Sequence, residues 1–205
     1  FMNILNVREY IETFLKIRTK DGALVPLRLN QPQDRMYQAV KSQWDARKPV
    51  RIIVLKARQM GFSTLTEAII FAITATRFYT DCMIVAHKDE ATANLFRMSL
   101  RYYENLPEPM KPMRKASNAH ELVFDKPAHY KGRRPGLGSS IKCATAGGSG
   151  VGRSATLRCL HLSEFAFWPG DKRETLAGLS QAVPDKSGTI IIIESTAHGS
   201  VSYTH

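Results

Sequence analysis

The sequence predicts an α/β domain built on a mostly parallel sheet flanked by helices on both faces. Three observations predict it. Short apolar runs at 52–55, 83–86 and 189–194 alternate with helical patterns at 32–44, 64–76 and 90–103, and such alternation requires crossover connections between parallel strands. The stretch 51–65, RIIVLKARQMGFSTL, runs from an apolar strand through a short glycine-containing loop into a helix, the layout of a phosphate-binding loop. Two apolar runs, LRCLHLSEFAF at 157–167 and TIIIIE at 189–194, lead into polar residues, which sets acids and hydroxyls at the carboxyl edge where ligands of such sheets bind.

Taken in order, residues 1–28 form a lead-in that packs beside the core, with a helix over 7–17 and a turn at Lys20-Asp21-Gly22. The domain proper runs from 29 to 205. Met36, Tyr37, Val40 and Trp44 recur at helical spacing behind Pro32, with Asn30 as the cap. After the loop, Leu65, Ile69, Ile70 and Ile73 continue a helix from Thr64; 83–86 is a strand and 90–103 an amphipathic helix. Between 107 and 138 prolines accumulate and Lys126, Lys131, Arg133 and Arg134 surround Tyr130. This reads as an excursion from the sheet, a hairpin, and either a solvated loop or a surface that tracks phosphates or meets another subunit.

The chain has 205 residues, 43% of them hydrophobic and 23% charged, enough for one globular domain. Its 29 Lys and Arg against 18 Asp and Glu leave a net charge of +11, which favours a polyanionic partner such as double-stranded DNA; the alternative is a merely soluble basic surface. Cys82, Cys143 and Cys159 are odd in number and widely spaced, so they read as buried reduced thiols in an intracellular protein. No apolar stretch approaches the roughly 20 residues of a membrane span, and no membrane partner is expected.

The loop carries its own chemistry. Gly61 lets the backbone approach an anion, the loop residues Gln59, Met60 and Phe62 offer main-chain groups, and the helix N-terminus supplies N–H donors and positive dipole. A hydroxyl, Ser63 or Thr64, would ligate Mg²⁺, although both types also favour helix caps. The usual loop ends Gly-Lys-Ser/Thr, whereas Phe62 stands at the lysine position. Lys56 at the head of the loop, with Arg58 beside it, is then the cation for the β- and γ-phosphates. Glu164, at the end of LHLS, suits a general base that orients the attacking water, and Ser195 and Thr196 suit sensors of the γ-phosphate. His161 and His198 lack zinc-ligand spacing.

In this order the residues resemble one family, the ATPase domain of the large terminase subunit, the DNA-packaging motor of tailed bacteriophages. The resemblance spans roughly 29–199 and implies a P-loop NTPase with an additional-strand, RecA/helicase-like core that uses ATP and Mg²⁺. KARQMGFST is similar to the deviant Walker A loop with an early lysine. Leu29-Asn30-Gln31-Pro32-Gln33 resembles the glutamine motif, in which Gln33 reads adenine, and the resemblance extends to Val85-Ala86-His87 followed by Glu90-Ala91. Gly152-Arg153 matches the basic loop that offers an arginine finger to a neighbouring subunit, with Arg58 as its rival within the subunit. The residue before Glu164 normally is the aspartate that supports Mg²⁺; here it is Ser163, which offers a metal-bound water but no charge.

The resemblance further implies a ring on the procapsid, with the portal protein, the small terminase subunit and duplex DNA as partners, in the cytoplasm of an infected bacterium. No Asp or Glu follows Glu194, so the acidic two-metal cluster of a terminase nuclease is not expected and neither is cleavage. Two alternatives stay open. A helicase-like translocase shares the sheet but needs a second motor domain, and a DNA-binding or assembly module with a non-hydrolysing nucleotide site would accommodate Phe62 and Ser163.

Overall fold

The computed structural model describes residues 4–118, 120–148 and 156–197. Helix α1 (Ile4–Phe14) leads into a hairpin of β1 (Lys16–Arg18) and β2 (Leu24–Pro26), turned at Gly22 with φ +89°. The helix expected over 7–17 thus stops at Phe14, and Ile17 pairs with Val25 in the hairpin. Helix α2 (Gln31–Asp45), β3 (Val50–Lys56), α3 (Phe62–Thr76), β4 (Asp81–Ala86) and α4 (Asp89–Glu104) follow. Then come the short strands β5 (Ala116–Ser117) and β6 (Glu121–Phe124), β7 (Ser139–Thr145), β8 (Cys159–Ser163), α5 (Lys172–Gln181) and β9 (Ile190–Thr196).

Seven strands form one sheet in the order β3-β9-β8-β4-β7-β6-β5. The first five run parallel; β6 and β5 close the far side antiparallel. The segment read as an excursion does carry a hairpin, β5 against β6, but the hairpin joins the sheet: β6 pairs with β7 through Leu122 and Ile141, both fully buried, and that burial outweighs the disruptive prolines around it. Register also locates the basic stretch. Phe124 pairs with Ser139, the first residue of β7, so the loop bearing exposed Lys126, Lys131, Arg133 and Arg134 lies at the amino edge of the parallel strands.

The two faces of the sheet are covered unequally. Helices α1 to α4 pack on one face, where Val7, Tyr37, Ile70 and Tyr102 meet Ile84, Ile141 and Ile192 in the main core. Helix α3 lies between the sheet and its neighbours α1 and α4 and is buried on nearly all sides from Leu65 to Ala75, so its sequence is apolar all round. Each buried Leu or Ile there contributes roughly 1.5–3 kcal/mol. On the other face α5 brings Leu179 against Val85, Leu160 and Leu162, but Ile53 and Leu55 of the edge strand β3 stay 81% and 70% exposed. Cys82, Cys143 and Cys159 are buried free thiols.

A candidate nucleotide-binding site at the strand edge

Period-2 alternation and strand register assemble the site. Lys56 pairs with Thr196, and Ser163 pairs with Glu194. Ile52 and Val54 on β3, Ile190 and Ile192 on β9, and Cys159 on β8 face the main core with α3. Counting by twos, Lys56, Glu194, His161 and Ser163 point to that same face, where the first turn of α3 brings Ser63.

The loop between β3 and α3 is held from α2. Asn30 and Gln33 form a reciprocal capping box: the Gln33 amide donates to Asn30 Oδ1 at 2.9 Å and Gln33 Oε1 accepts from the Asn30 amide at 3.0 Å. The remaining side-chain nitrogen, Gln33 Nε2, donates to the Gly61 carbonyl at 2.7 Å, while Asn30 Nδ2 donates to the Met60 carbonyl at 3.3 Å. Gln33 is 4% exposed. Each of its side-chain polar atoms thus has a partner within the chain, and Gln33 supports the loop from α2. Gly61 has φ +79°, and a Cβ there would stand 2.6 Å from Gln33 Nε2, so the position needs glycine on both counts. No side chain caps α3, which leaves its first-turn N–H groups for an anion. Phe62 occupies the usual lysine position because it is buried in the main core and anchors the helix start. Gln59, in left-handed backbone at φ 64°, accepts from Lys20 Nζ at 2.8 Å, and Arg58 is exposed on the loop.

Lys56 is the hub of the charged groups. Its Nζ lies 3.2 Å from Ser63 Oγ, 3.3 Å from Glu164 Oε1 and 3.2 Å from Glu194 Oε2. Ser63 Oγ donates to Glu194 Oε1. Ser163 Oγ donates to the same oxygen at 3.2 Å, and the Ser163 carbonyl accepts from Trp168 Nε1 at 2.9 Å. Of the two hydroxyls considered for Mg²⁺, Ser63 is the one on the carboxylate; the Thr64 carbonyl accepts from Tyr102 Oη at 3.0 Å. Behind Glu194, His161 Nε2 stands 3.2 Å from Oε1, an ion-pair separation that misses hydrogen-bond geometry. His161 Nδ1 meets Glu67 Oε1 at 2.7 Å, and Ser99 Oγ of α4 donates to Glu67 Oε2 at 3.2 Å.

Glu164 follows β8 in left-handed backbone at φ 51°, a strain of about 1–3 kcal/mol for a residue with a side chain. Thr196 holds it there: its amide and its Oγ1 both donate to Glu164 Oε2 at 2.9 Å. Ser195 Oγ accepts from the Ala166 amide at 3.2 Å, so the end of β9 is tied to the turn that carries the acid. Gly152 and Arg153, and likewise His198, lie outside the described residues.

Burial opposes ionisation of Glu194, but the close imidazole of His161, the charge of Lys56 and the Ser63 hydroxyl outweigh it and hold the carboxyl down to about 2. Burial likewise disfavours the charged form of His161, and Glu194 and Glu67 overcome it and raise the imidazole to about 9. Glu67 is pushed upward by its burial, against the His161 and Ser99 contacts. Glu164 is lowered, with burial outweighed by the two Thr196 bonds and Lys56. These shifts favour the charged forms of Glu194, Glu164 and His161 side by side at the edge.

The oxygens present fit a hard cation. Glu194 Oε2 is wholly buried and has no hydrogen-bond partner among the described residues, and Ser63 Oγ and Ser163 Oγ converge on the same carboxylate. Among the described residues no group of three His, Cys, Asp or Glu could hold a metal ion. One carboxylate with hydroxyls suits Mg²⁺ that arrives with phosphates. A separate cleft of about 360 Å³ between β3, β9 and α5, lined by Arg51, Ile53, Leu176 and Val183, holds none of these groups. Sequence reasoning missed Glu194, His161 and Glu67 as parts of the site. The available signal was parity, since Glu194 interrupts an apolar strand on the side that faces the loop helix.

No protein-family model and no curated protein sequence matches this chain. Its fold does match solved structures. The large terminase of bacteriophage HK97 superposes with a TM-score of 0.71 at 16% identity, over 95% of this chain and 38% of that one. The large terminase ATPase domain of Thermus phage P74-26 gives 0.60 at 19% identity, over 84% of this chain and 66% of that one, and a point mutant of that domain gives 0.58 at 18%, over 85% and 68%. The fold is that of the terminase ATPase domains, with a P-loop NTPase-like sheet, and the chain spans well under half of the HK97 protein.

Proposed function

We propose that this chain is the ATP-hydrolysing motor domain of a machine that packages double-stranded DNA into a viral procapsid. One observation carries the reading: on a terminase ATPase fold, Lys56, Ser63 and Glu164 converge within hydrogen-bond distance beside an uncapped helix N-terminus. In this reading the α3 N-terminus and the backbone of the loop from Gln59 to Phe62 cradle the phosphates. Lys56 offers them the charge that Phe62 cannot. Ser63 would help hold Mg²⁺, which supplies charge neutralisation for the phosphates when bound. Glu164, ionised and pinned by Thr196, accepts a proton from the water that attacks the γ-phosphate. The Thr196–Glu164 and Ser195–Ala166 bonds give Ser195 and Thr196 a way to pass loss of that phosphate to the 164–167 turn. A guanidinium from Arg58, or from Arg153 of a ring neighbour, completes the charge balance.

The partners follow from the same reading: duplex DNA, met in part by the basic loop 126–134 at the opposite edge of the sheet, the portal protein, the small terminase subunit and further copies in a ring. The host cytoplasm is where these would meet. Steady-state ATP hydrolysis with Mg²⁺, over a range of protein concentrations and beside Glu164→Ala, tests it. Turnover that needs Glu164 and rises more than proportionally with protein supports sites completed between subunits. Binding without turnover at any concentration sinks the hydrolytic reading and favours the assembly-module alternative. Mixing Arg153→Ala with Glu164→Ala protein separates the two arginines, since recovered turnover requires a finger supplied across subunits.

A further inference from the structure

We infer that Glu194, from β9, is the carboxylate that holds the metal with Ser63, in the role that β8 leaves open at Ser163, and that Lys56 is its stand-in cation before nucleotide arrives. The inference rests on the nucleotide reading above and deepens it. A phosphate-loop site holds its metal with the loop hydroxyl and a carboxylate at a strand end. The residue on β8 at that place is Ser163, which supplies no charge. Its register partner on the adjoining strand is Glu194, and Glu194 Oε1 already accepts from both Ser63 Oγ and Ser163 Oγ.

The second oxygen decides the matter. Glu194 Oε2 is fully buried and lacks a hydrogen bond among the described residues, and Lys56 Nζ stands 3.2 Å from it. A buried carboxylate oxygen in that state requires a cation. Lys56 is also the group that bound phosphates would draw toward themselves, being 3.2 Å from Ser63 Oγ. Once Lys56 turns to the phosphates, Oε2 keeps no cation of its own, the Ser63 hydroxyl and the His161 imidazole both lying on Oε1, and a divalent ion that arrives with the nucleotide would satisfy it. His161 and Glu67, packed behind at 3.2 and 2.7 Å, fix the direction in which the carboxylate points. Glu164 is the poorer candidate for this role, since Thr196 holds its Oε2 and, among the described residues, no contact joins it to Ser63.

Mn²⁺ is the probe. Free Mn²⁺ is followed by electron paramagnetic resonance as it is titrated into the 205-residue chain with ADP, and ADP binding is measured separately in chelator. For Glu194→Gln we expect Mn²⁺ affinity in the ternary complex to fall by about 10–100-fold, with ADP binding in chelator retained. Ser163→Asp added to Glu194→Gln returns a carboxylate to the register partner and recovers most of the loss. Glu194→Asp keeps the charge that Lys56 and His161 face, and so the fold, yet withdraws the oxygens from Ser63; it also weakens Mn²⁺. Unchanged Mn²⁺ affinity in Glu194→Gln, or in Glu194→Asp should the first variant not fold, overturns the inference alone. Absence of ADP binding by the unaltered chain, with or without metal, overturns the nucleotide reading and this inference with it.

Discussion

Strands β8 and β9 lie side by side and carry the same kinds of residue near their carboxyl ends in opposite order: Ser163 then Glu164 on one, Glu194 then Ser195 on the other. The half-step difference gives the two acids different lives. Glu164 stands past the end of its strand, 21% exposed, strained and held by Thr196, which suits a group that handles a proton. Glu194 sits inside its strand, wholly buried, between a lysine and a histidine, which suits a fixed charge. On the proposed reading, neighbouring strands divide between them two acidic roles, and the register brings a serine opposite the buried acid.

The comparison breaks first at Glu164. In Glu164→Gln the rate of ATP hydrolysis is expected to fall by about 10²–10⁴-fold with nucleotide affinity largely kept, as steady-state assays and calorimetry would show; a variant with full turnover ends the assignment of the base. Stability separates the two acids next. Glu194→Ala strands the buried His161 charge and should cost about 3–5 kcal/mol, seen as a lower urea midpoint, whereas Glu164→Ala, partly exposed, should move that midpoint far less. Equal losses would mean that exposure and burial do not distinguish them.

Gly61→Ala probes the shared loop. Left-handed backbone with a Cβ costs roughly 1–2 kcal/mol, and the clash with Gln33 Nε2 adds to it, so both stability and ADP affinity should drop; Gln33→Ala should soften the loop by about 1 kcal/mol through the lost capping box.

The smallest effect is a pH slope. The His161 imidazole, raised from 6.5 to about 9, contributes stability that is complete below pH 6.5 and is lost as pH rises through 9. Glu194, lowered from 4.5 to about 2, contributes stability that is complete above pH 4.5 and is lost as pH falls toward 2. Unfolding midpoints should therefore decline on the alkaline side between pH 6.5 and 9, and His161→Asn should flatten that decline. A wild-type midpoint that does not fall across this interval would leave His161 without its charge.

Much of the frame was legible along the chain because periodicity and caps are local. Asn30, Pro32 and the Met36-to-Trp44 spacing mark α2, and the strand–glycine–helix order marks β3 and α3. Helix α5 escaped because KRETLAGLSQ is largely polar and buries only Leu179. Strand β7 escaped because SSIKCAT mixes polar residues among its few apolar ones, and the long run 107–138 hid its pairing with β6. At the site, Lys56, Ser63 and Glu164 could be named from their order. The part of Glu194 could not, since it depends on which strand lies beside β8. The loop-supporting bond of Gln33 could not be read either, for a related reason: an amide at a helix start carries no mark of its direction, and only the packed structure turns it toward Gly61.

The most direct test of this account is equilibrium binding of Mg·ATPγS by calorimetry to the unaltered chain and to Lys56→Met. The account predicts saturable one-site binding that the substitution weakens strongly, because on the proposed reading Lys56 supplies the charge that Phe62, at the usual lysine position, lacks. Equal binding by both proteins, or none by either, would contradict it.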